Sequence, residues 1–275
     1  MERKVVAIIL HGIILLMGAM AIVEEGHMSK VSLNMHVPLW ALRMKWSGNA
    51  TFTAKTTKRL RTRSQFKEES HLVSQYFYGI GRGTFLELGA LDGLRYANTY
   101  GLENDLDWHG ILIEGSPASY QKMVVNRPGQ LLVNSVICRN VTTVHYFDYK
   151  SGFKNPAVFG IWEFMPPGYK KLWFPDVYAG TVPIPESSAV PCVPLGYILG
   201  LFRAKHINFF SLDVEGAELD VLSSLDFNRV SFDVIVVEGQ DQDVLELLES
   251  KGYVYVEELH LNRWFIRQGF TRSKK

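Results

Sequence analysis

The sequence predicts an α/β fold: a mostly parallel sheet of seven strands, the last one antiparallel, with helices on both faces. Three observations carry this. Short apolar runs rich in Val, Ile, Leu and Phe alternate with segments of helical period, the pattern of a parallel sheet covered on both sides. Four of the runs end in a carboxylate, at Glu87, Glu114, Asp213 and Glu238. The last two runs are separated by about three residues, too few for a parallel crossover, so the final strand must reverse.

Regular patterning begins near residue 70. In 71–80, Leu72, Val73, Tyr76, Phe77 and Ile80 fall on one helical face, and glycines at 79, 81 and 83 end the helix. "TFLEL" (84–88) is a short buried strand, and a helix over 97–104 is expected after the glycine turn. "HGILIEG" (109–115) is the second strand. "PASYQKMVVN" (117–126) opens on proline, which suits a first helical turn. "GQLLVNSVIC" (129–138) is the third strand. Residues 139–192 carry many prolines, glycines and aromatics and predict an irregular insert; a loop of that length is usually functional or disordered, and the aromatics argue against disorder. Regular structure resumes with a helix (195–202), a strand (207–214) and a helix (216–227) with Leu219, Leu222 and Leu225 on one face. An apolar strand (232–239) and a helix (241–252) follow. Asp243 and Glu246 stand there at capping-box spacing, with Gly252 at the C-cap. Strands at 253–259 and 263–269 finish the domain, taken as 70–270, before a basic tail at 271–275.

The N-terminal part has another character. Residues 5–23 are 19 positions without a formal charge, about 28 Å as a helix and close to the hydrocarbon thickness of a bilayer. Basic residues precede the run and Glu24 and Glu25 follow it, so a signal anchor would keep residues 1–4 cytosolic and send the rest across. The alternative is a cleaved signal peptide, with Ala19-Met20-Ala21 as the cleavage site. Either places the body of the protein in the secretory lumen or outside the cell: a single-pass type II membrane protein of the endoplasmic reticulum or Golgi, or, after cleavage, a protein released or held at the cell surface. Residues 24–69 read as a stem. Within it, 55–67 holds six basic residues and no acid, read as a solvated stalk or as a contact for anionic lipid or an acidic partner.

Composition agrees with a folded domain: 47% apolar and 21% charged residues over 275 positions. The formal net charge of +1 offers no argument for nucleic-acid binding. Asn49 and Asn140 begin N-glycosylation triplets. The two cysteines, Cys138 and Cys192, either form one disulfide or remain separate buried thiols; no Cys/His cluster suggests zinc.

In an open α/β sheet, ligands bind beyond the carboxyl ends of the strands. Four acids aimed at one rim repel one another unless a ligand uses them. A cation with vicinal hydroxyls suits them, and S-adenosylmethionine offers a sulfonium, an ammonium and a ribose diol. Glu87-x-Gly89-x-x-x-Gly93 lets the backbone come close to such a ligand. Glu114 lies 21 residues after Gly93, the distance at which a nucleotide-binding unit places its ribose-binding acid.

"FLELGALDGLRYANTYGLE", "GILIEGSP", "VPCVPLGYIL" and above all "INFFSLDVEGAELDVLSSLDF" with "VIVVEG" resemble the FkbM-type methyltransferase domain over roughly residues 84–268. The resemblance implies a Rossmann-like class I methyltransferase fold, S-adenosyl-L-methionine as donor, and O-methylation of a hydroxyl on a glycan or small molecule. It implies that Glu87, Gly89, Asp92 and Gly93 form the cofactor turn, that Glu114 binds the ribose, and that Asp213 and Glu215 belong to an Asp-x-Glu-Gly motif; Ser135 is a further cofactor candidate. Leu91 departs from the family at a position often polar. Asp213 and Glu238 are the candidates for base or orienting acid; a divalent ion held by Asp213, Glu215 and Glu238 is another use of the same acids. His109 and His145 read as structural. Trp162, Phe164, Trp173 and Phe174 would either stack on a sugar or pack a lid. An anchored domain of this type also resembles the Star proteins of animals. That likeness implies movement of secretory cargo from the endoplasmic reticulum to the Golgi, without catalysis.

Overall fold

A computed structural model describes residues 16–17, 20–24, 27–43, 60–147, 160–184 and 189–273. The elements run β1 (Leu16–Met17), β2 (Met20–Glu24), β3 (His27–Val37), α1 (Leu39–Arg43), α2 (Glu68–Gln75), β4 (Thr84–Leu88), α3 (Tyr100–Leu106), β5 (His109–Glu114) and α4 (Pro117–Asn126). They continue with β6 (Leu131–Asn134), β7 (Val136–Ile137), β8 (Thr142–Phe147), β9 (Gly160–Ile161), α5 (Pro167–Trp173), α6 (Pro175–Tyr178), β10 (Ala189–Val193) and α7 (Leu195–Leu201). The last are β11 (His206–Leu212), α8 (Glu218–Ser223), β12 (Ser231–Glu238), α9 (Gln242–Ser250), β13 (Tyr253–Leu259) and β14 (Asn262–Arg267).

The main sheet contains the order β6-β5-β4-β11-β12-β14-β13. β6, β5, β4, β11 and β12 are parallel, and β14 runs antiparallel to both its neighbours. The chain leaves β4 toward β5 and β6, then returns to the other side of β4 with β11. The strand order therefore switches between β4 and β11, which is where an open α/β sheet forms its crevice. Successive side chains point to opposite faces. Leu86, Ile111, Phe210 and Ile235 enter one buried cluster; Phe85, Leu112, Phe209 and Val234 enter the other. Burial on both faces is the reason these strands read as continuous apolar runs.

The sheet is wider than the seven strands expected. β3 adds antiparallel beyond β6, with Met35 opposite Val133, and β1 and β2 pair with β3. The reading of 24–69 as a stem is corrected accordingly: its described part supplies a sheet strand, helix α1 and a segment docked on α3. Of the apolar run 5–23, residues 5–15, 18 and 19 lie outside the described residues; the rest are strand, not helix. A continuous apolar run does not distinguish the two by period alone. No helix among the described residues is long and apolar enough to cross a membrane.

The region 139–192 is likewise not an irregular insert throughout. β10 pairs parallel with β7 and antiparallel with β8, and β9 joins β8, making a second small sheet. Cys138 and Cys192 are bonded, tying that sheet to the end of the third strand. The aromatics pack a lid of their own: Phe147, Met165, Phe174 and Val177, flanked by Trp162 and Trp173.

Helix ends differ where caps decide them. α4 has its expected bounds because Ser116 accepts the Ser119 N–H and Pro117 starts the first turn. α9 is capped by Asp241, which accepts the Asp243 N–H at 2.9 Å, not by the expected pair at 243 and 246. α8 is only six residues long; it starts at Glu218, whose carboxylate turns back to accept the Val214 and Gly216 N–H groups.

Candidate functional site

A cleft of about 980 Å³, its open mouth included, lies beyond the carboxyl ends of β4, β5, β11 and β12. Glu87, Gly89, Glu114, Ser135, Asp213, Glu215 and Glu238 all line it. The lid closes one side with Tyr146, Gly160 and Ile161.

The floor is the turn after β4. Gly89 adopts φ +80°, and a Cβ there would stand 1.7 Å from the carbonyl oxygen of Asp213. Only glycine lets the turn cross the end of β11 so closely. Leu91 and Tyr96 also take left-handed backbone, at φ 47° and 58°, and both line the cleft. Across from them Glu215 does the same at φ 58°. Non-glycine residues held this way tend to cluster where a site must be shaped.

Glu114 is buried at 3% exposure. Its Oε2 accepts the Leu91 N–H at 2.8 Å and its Oε1 the Ser116 N–H at 2.6 Å. The acid thus clasps the turn to the end of β5. Burial pushes its carboxyl up to about 7 against the pull of those two donors. A carboxylate has about four lone-pair sites, so a diol can still bind. Glu87 is also buried, with its carboxyl raised by burial; it accepts the Asn98 N–H at 2.7 Å and the Thr99 hydroxyl.

Two of the turn residues are placed elsewhere. Asp92 does not line the cleft: its Oδ1 accepts the Leu94 and Arg95 N–H groups and caps the next bend. Gly93 faces α4, where a Cβ would lie 2.7 Å from the Arg127 side chain. Both hold the turn and neither reaches the cleft. Ser135 breaks the third strand and lines the cleft, its hydroxyl donating to the Val136 carbonyl.

At the far end three acids meet. Asp213, Glu215 and Glu238 each offer a carboxylate oxygen, all within 4.8 Å of one another. Burial, then the neighbouring Glu238, holds the Asp213 carboxyl well above the usual carboxylate range. Burial, then Glu238 and Glu218, pushes Glu215 up to about 8. Tyr169 on the lid helix α5 is raised by burial and by Glu215 and Glu238, so the lid sits over these acids. The group favours a cation or shared protons; the spacing also suits a hard divalent ion.

Gln65, Tyr96, Asn98 and Ser211 line the same cleft and were not anticipated. The one local signal was "YANT", polar and aromatic positions directly after the glycine turn. His145 is half-buried and pairs with Glu163 at 2.6 Å, and His109 stacks on Trp40 at 4.6 Å, both away from the cleft lining. Asn140 is exposed; Asn49 lies outside the described residues.

The family model described as Methyltransferase FkbM domain matches residues 87–255, more than half of the chain and all of the cleft's carboxylates. No curated protein matches the sequence. Among solved structures, the chain is similar to a methyltransferase FkbM from Methylobacillus flagellatus KT, at 10% identity and a TM-score of 0.40, covering 67% of this chain. The match spans 43% of that structure's own chain. It is also similar to a precorrin-6y C5,15-methyltransferase from Geobacter metallireducens GS-15, at 13% identity and a TM-score of 0.36, covering 81% of this chain and 96% of that one.

Proposed function

The chain belongs to the FkbM methyltransferase domain family, and from that premise we propose that its cleft binds S-adenosylmethionine and that the protein methylates a hydroxyl of a glycan or small molecule. One observation carries the reading. A single cleft has a close-approach glycine turn and a buried ribose-type acid at one end, and three mutually repelling carboxylates at the other. That set fits a ligand with a diol and positive charge. It does not fit a polyphosphate, which the acids would repel.

S-adenosylmethionine supplies an electrophilic methyl group when bound. The chain's own residues do the rest. Glu114 accepts from the ribose hydroxyls while keeping Leu91 and Ser116 in place. The backbone at Gly89 lies against the amino-acid portion. Asp213 and Glu238 face the reacting centre, and Asp213 in its ionised form takes the acceptor hydroxyl's proton. The lid, anchored by the Cys138–Cys192 bond, keeps water out.

The disulfide and the exposed Asn140 triplet support an oxidising, glycosylating compartment in the secretory pathway, reached through the apolar run at 5–23 as an anchor or signal. A rival reading is a Star-like protein that carries cargo without methyl transfer.

The test is transfer of labelled methyl from S-adenosylmethionine to a secretory glycan extract. Wild type should label an alkali-stable methyl ether, and Asp213→Asn should not. Equal labelling by both would remove Asp213 from the chemistry. No labelling by wild type, with the donor bound, would favour the cargo reading.

A further inference from the structure

The basic segment before α2 is not a solvated stalk over residues 60–67. It is a strap bonded to α3 and to the carboxyl edge of the sheet. Arg61 donates through its backbone N–H and Nε to Asp105 at 2.7 and 2.8 Å. Two buried acids at the start of α2 then hold the chain on either side of residue 65. Glu69 Oε2 accepts the Arg63 N–H at 2.8 Å, and Glu68 Oε2 accepts the Phe66 N–H at 2.9 Å. The same acids reach the domain: Glu69 Oε1 accepts the Gly101 N–H, and Glu68 Oε1 accepts from Asn262 Nδ2. Phe66 stacks on His260 at 4.4 Å between centroids. Glu68 and Glu69 are 4% and 0% exposed. Burying two carboxylates is unfavourable unless their partners are fixed, and those partners include the backbone flanking Gln65.

Gln65 is the one strap residue that lines the main cleft. The strap's arginines are engaged elsewhere: Arg61 pairs with Asp105, and the Arg63 guanidinium lies over the Tyr100 ring at 5.1 Å. Gln65 itself is exposed, and its side chain makes no hydrogen bond among the described residues. It also borders a narrow side compartment with Tyr96, Asn98, Asp213 and Glu238, which has room for about one water. It therefore shares a wall with Asp213, whose carbonyl the Gly89 turn abuts.

That position meets a need of the donor. S-adenosylmethionine carries a carboxylate as well as its two positive groups. The cleft presents Glu87, Glu114, Asp213, Glu215 and Glu238, and no Lys, Arg or His among the described residues. Neutral N–H groups must therefore hold the carboxylate. In the turn, where the donor reading puts the amino-acid portion, the Gly89 and Ala90 N–H groups go to the Ile113 carbonyl and the Leu91 N–H to Glu114. Asn98 Nδ2 already donates to Ser211 Oγ at 3.0 Å. Gln65 brings a primary amide whose two N–H donors are unspent.

We propose that Gln65 is a donor-binding residue whose carboxamide donates to the carboxylate of S-adenosylmethionine, and that the strap, which precedes the family's matched residues 87–255, completes the donor site. The assignment rests on the donor reading of the main cleft.

The test is calorimetry of the full-length protein with S-adenosylmethionine and with two ligands that lack the carboxylate: decarboxylated S-adenosylmethionine and 5′-methylthioadenosine. Gln65→Leu should weaken S-adenosylmethionine about tenfold, the loss expected for one hydrogen bond to a charged group, and leave the other two within about twofold. Gln65→Glu, which sets carboxylate against carboxylate, should weaken S-adenosylmethionine further and leave decarboxylated S-adenosylmethionine at least as tightly bound as in wild type. Because Gln65 is exposed, both variants should keep the wild-type melting temperature. Unchanged S-adenosylmethionine affinity in Gln65→Leu would overturn the assignment. So would an equal loss for a ligand without the carboxylate, which would reduce Gln65 to shaping the mouth. No binding of any of the three ligands to folded wild type would instead overturn the donor reading beneath it.

Discussion

Gly89 and Asp213 meet backbone to backbone: a Cβ at Gly89 would stand 1.7 Å from the Asp213 carbonyl oxygen. The contact locks the turn after β4 against the end of β11, the place where the strand order switches. Gly89→Ala must push the two strand ends apart and also strain a φ of +80°. It should destabilise the protein by on the order of 3 kcal/mol and abolish donor binding, read by urea denaturation and by calorimetry.

The crowded acids set an unusual pH dependence. Glu215 is raised from 4.5 to about 8, and Glu114 and Glu69 each from 4.5 to about 7. A carboxyl with a higher value in the folded state binds protons more tightly there, so its contribution is full below the unfolded value and is lost as pH rises to the folded one. These three groups should therefore make the unliganded protein lose stability between about pH 4.5 and 8. Urea midpoints across that range measure it. Glu215→Gln should flatten the upper part of the curve, and an unchanged slope would show that Glu215 ionises freely.

Arg127, 1% exposed, holds the outer side of the same turn. It pairs with Glu103 and donates to the Gly93 carbonyl at 3.1 Å and to the Thr99 hydroxyl at 3.0 Å. Thr99 in turn donates to Glu87. Arg127→Met should cost about 3–5 kcal/mol, the loss typical of breaking a buried pair from one side. Thermal denaturation reads it.

Much of this was legible in the sequence, for a physical reason. β4 and α4 have the bounds expected because a doubly buried strand and a Ser-Pro helix start are local signals. The acids at the strand ends were visible for the same reason. Asp92 and Gly93 were legible as a turn but not as to which side they face, which Arg127 at the end of α4 decides. β3 pairs with a strand about a hundred residues later, and the strap is held by Glu68, Glu69 and Asp105. Such non-local partners leave no period in the segment itself. Gln65 and Asn98 reach the cleft through them.

The Cys138–Cys192 bond closes a separation of 54 residues and joins β10 to the end of β7. Cross-linking a loop of that size should add about 4 kcal/mol by the chain-entropy account. Reduction, or Cys192→Ser, should lower stability by that order in urea titrations. It should also raise proteolysis within 160–184, while the parallel sheet persists by circular dichroism.

The central claim is that the cleft between Glu114 and Asp213 is a working S-adenosylmethionine site. Isothermal calorimetry of the folded full-length protein with S-adenosylmethionine, beside Glu114→Ala, tests it most directly. The account predicts one binding site in wild type and an affinity at least about tenfold weaker in the variant, about the loss expected from removing a charged acceptor of two ribose hydrogen bonds. No heat of binding in wild type, from a protein shown to be folded, would contradict it.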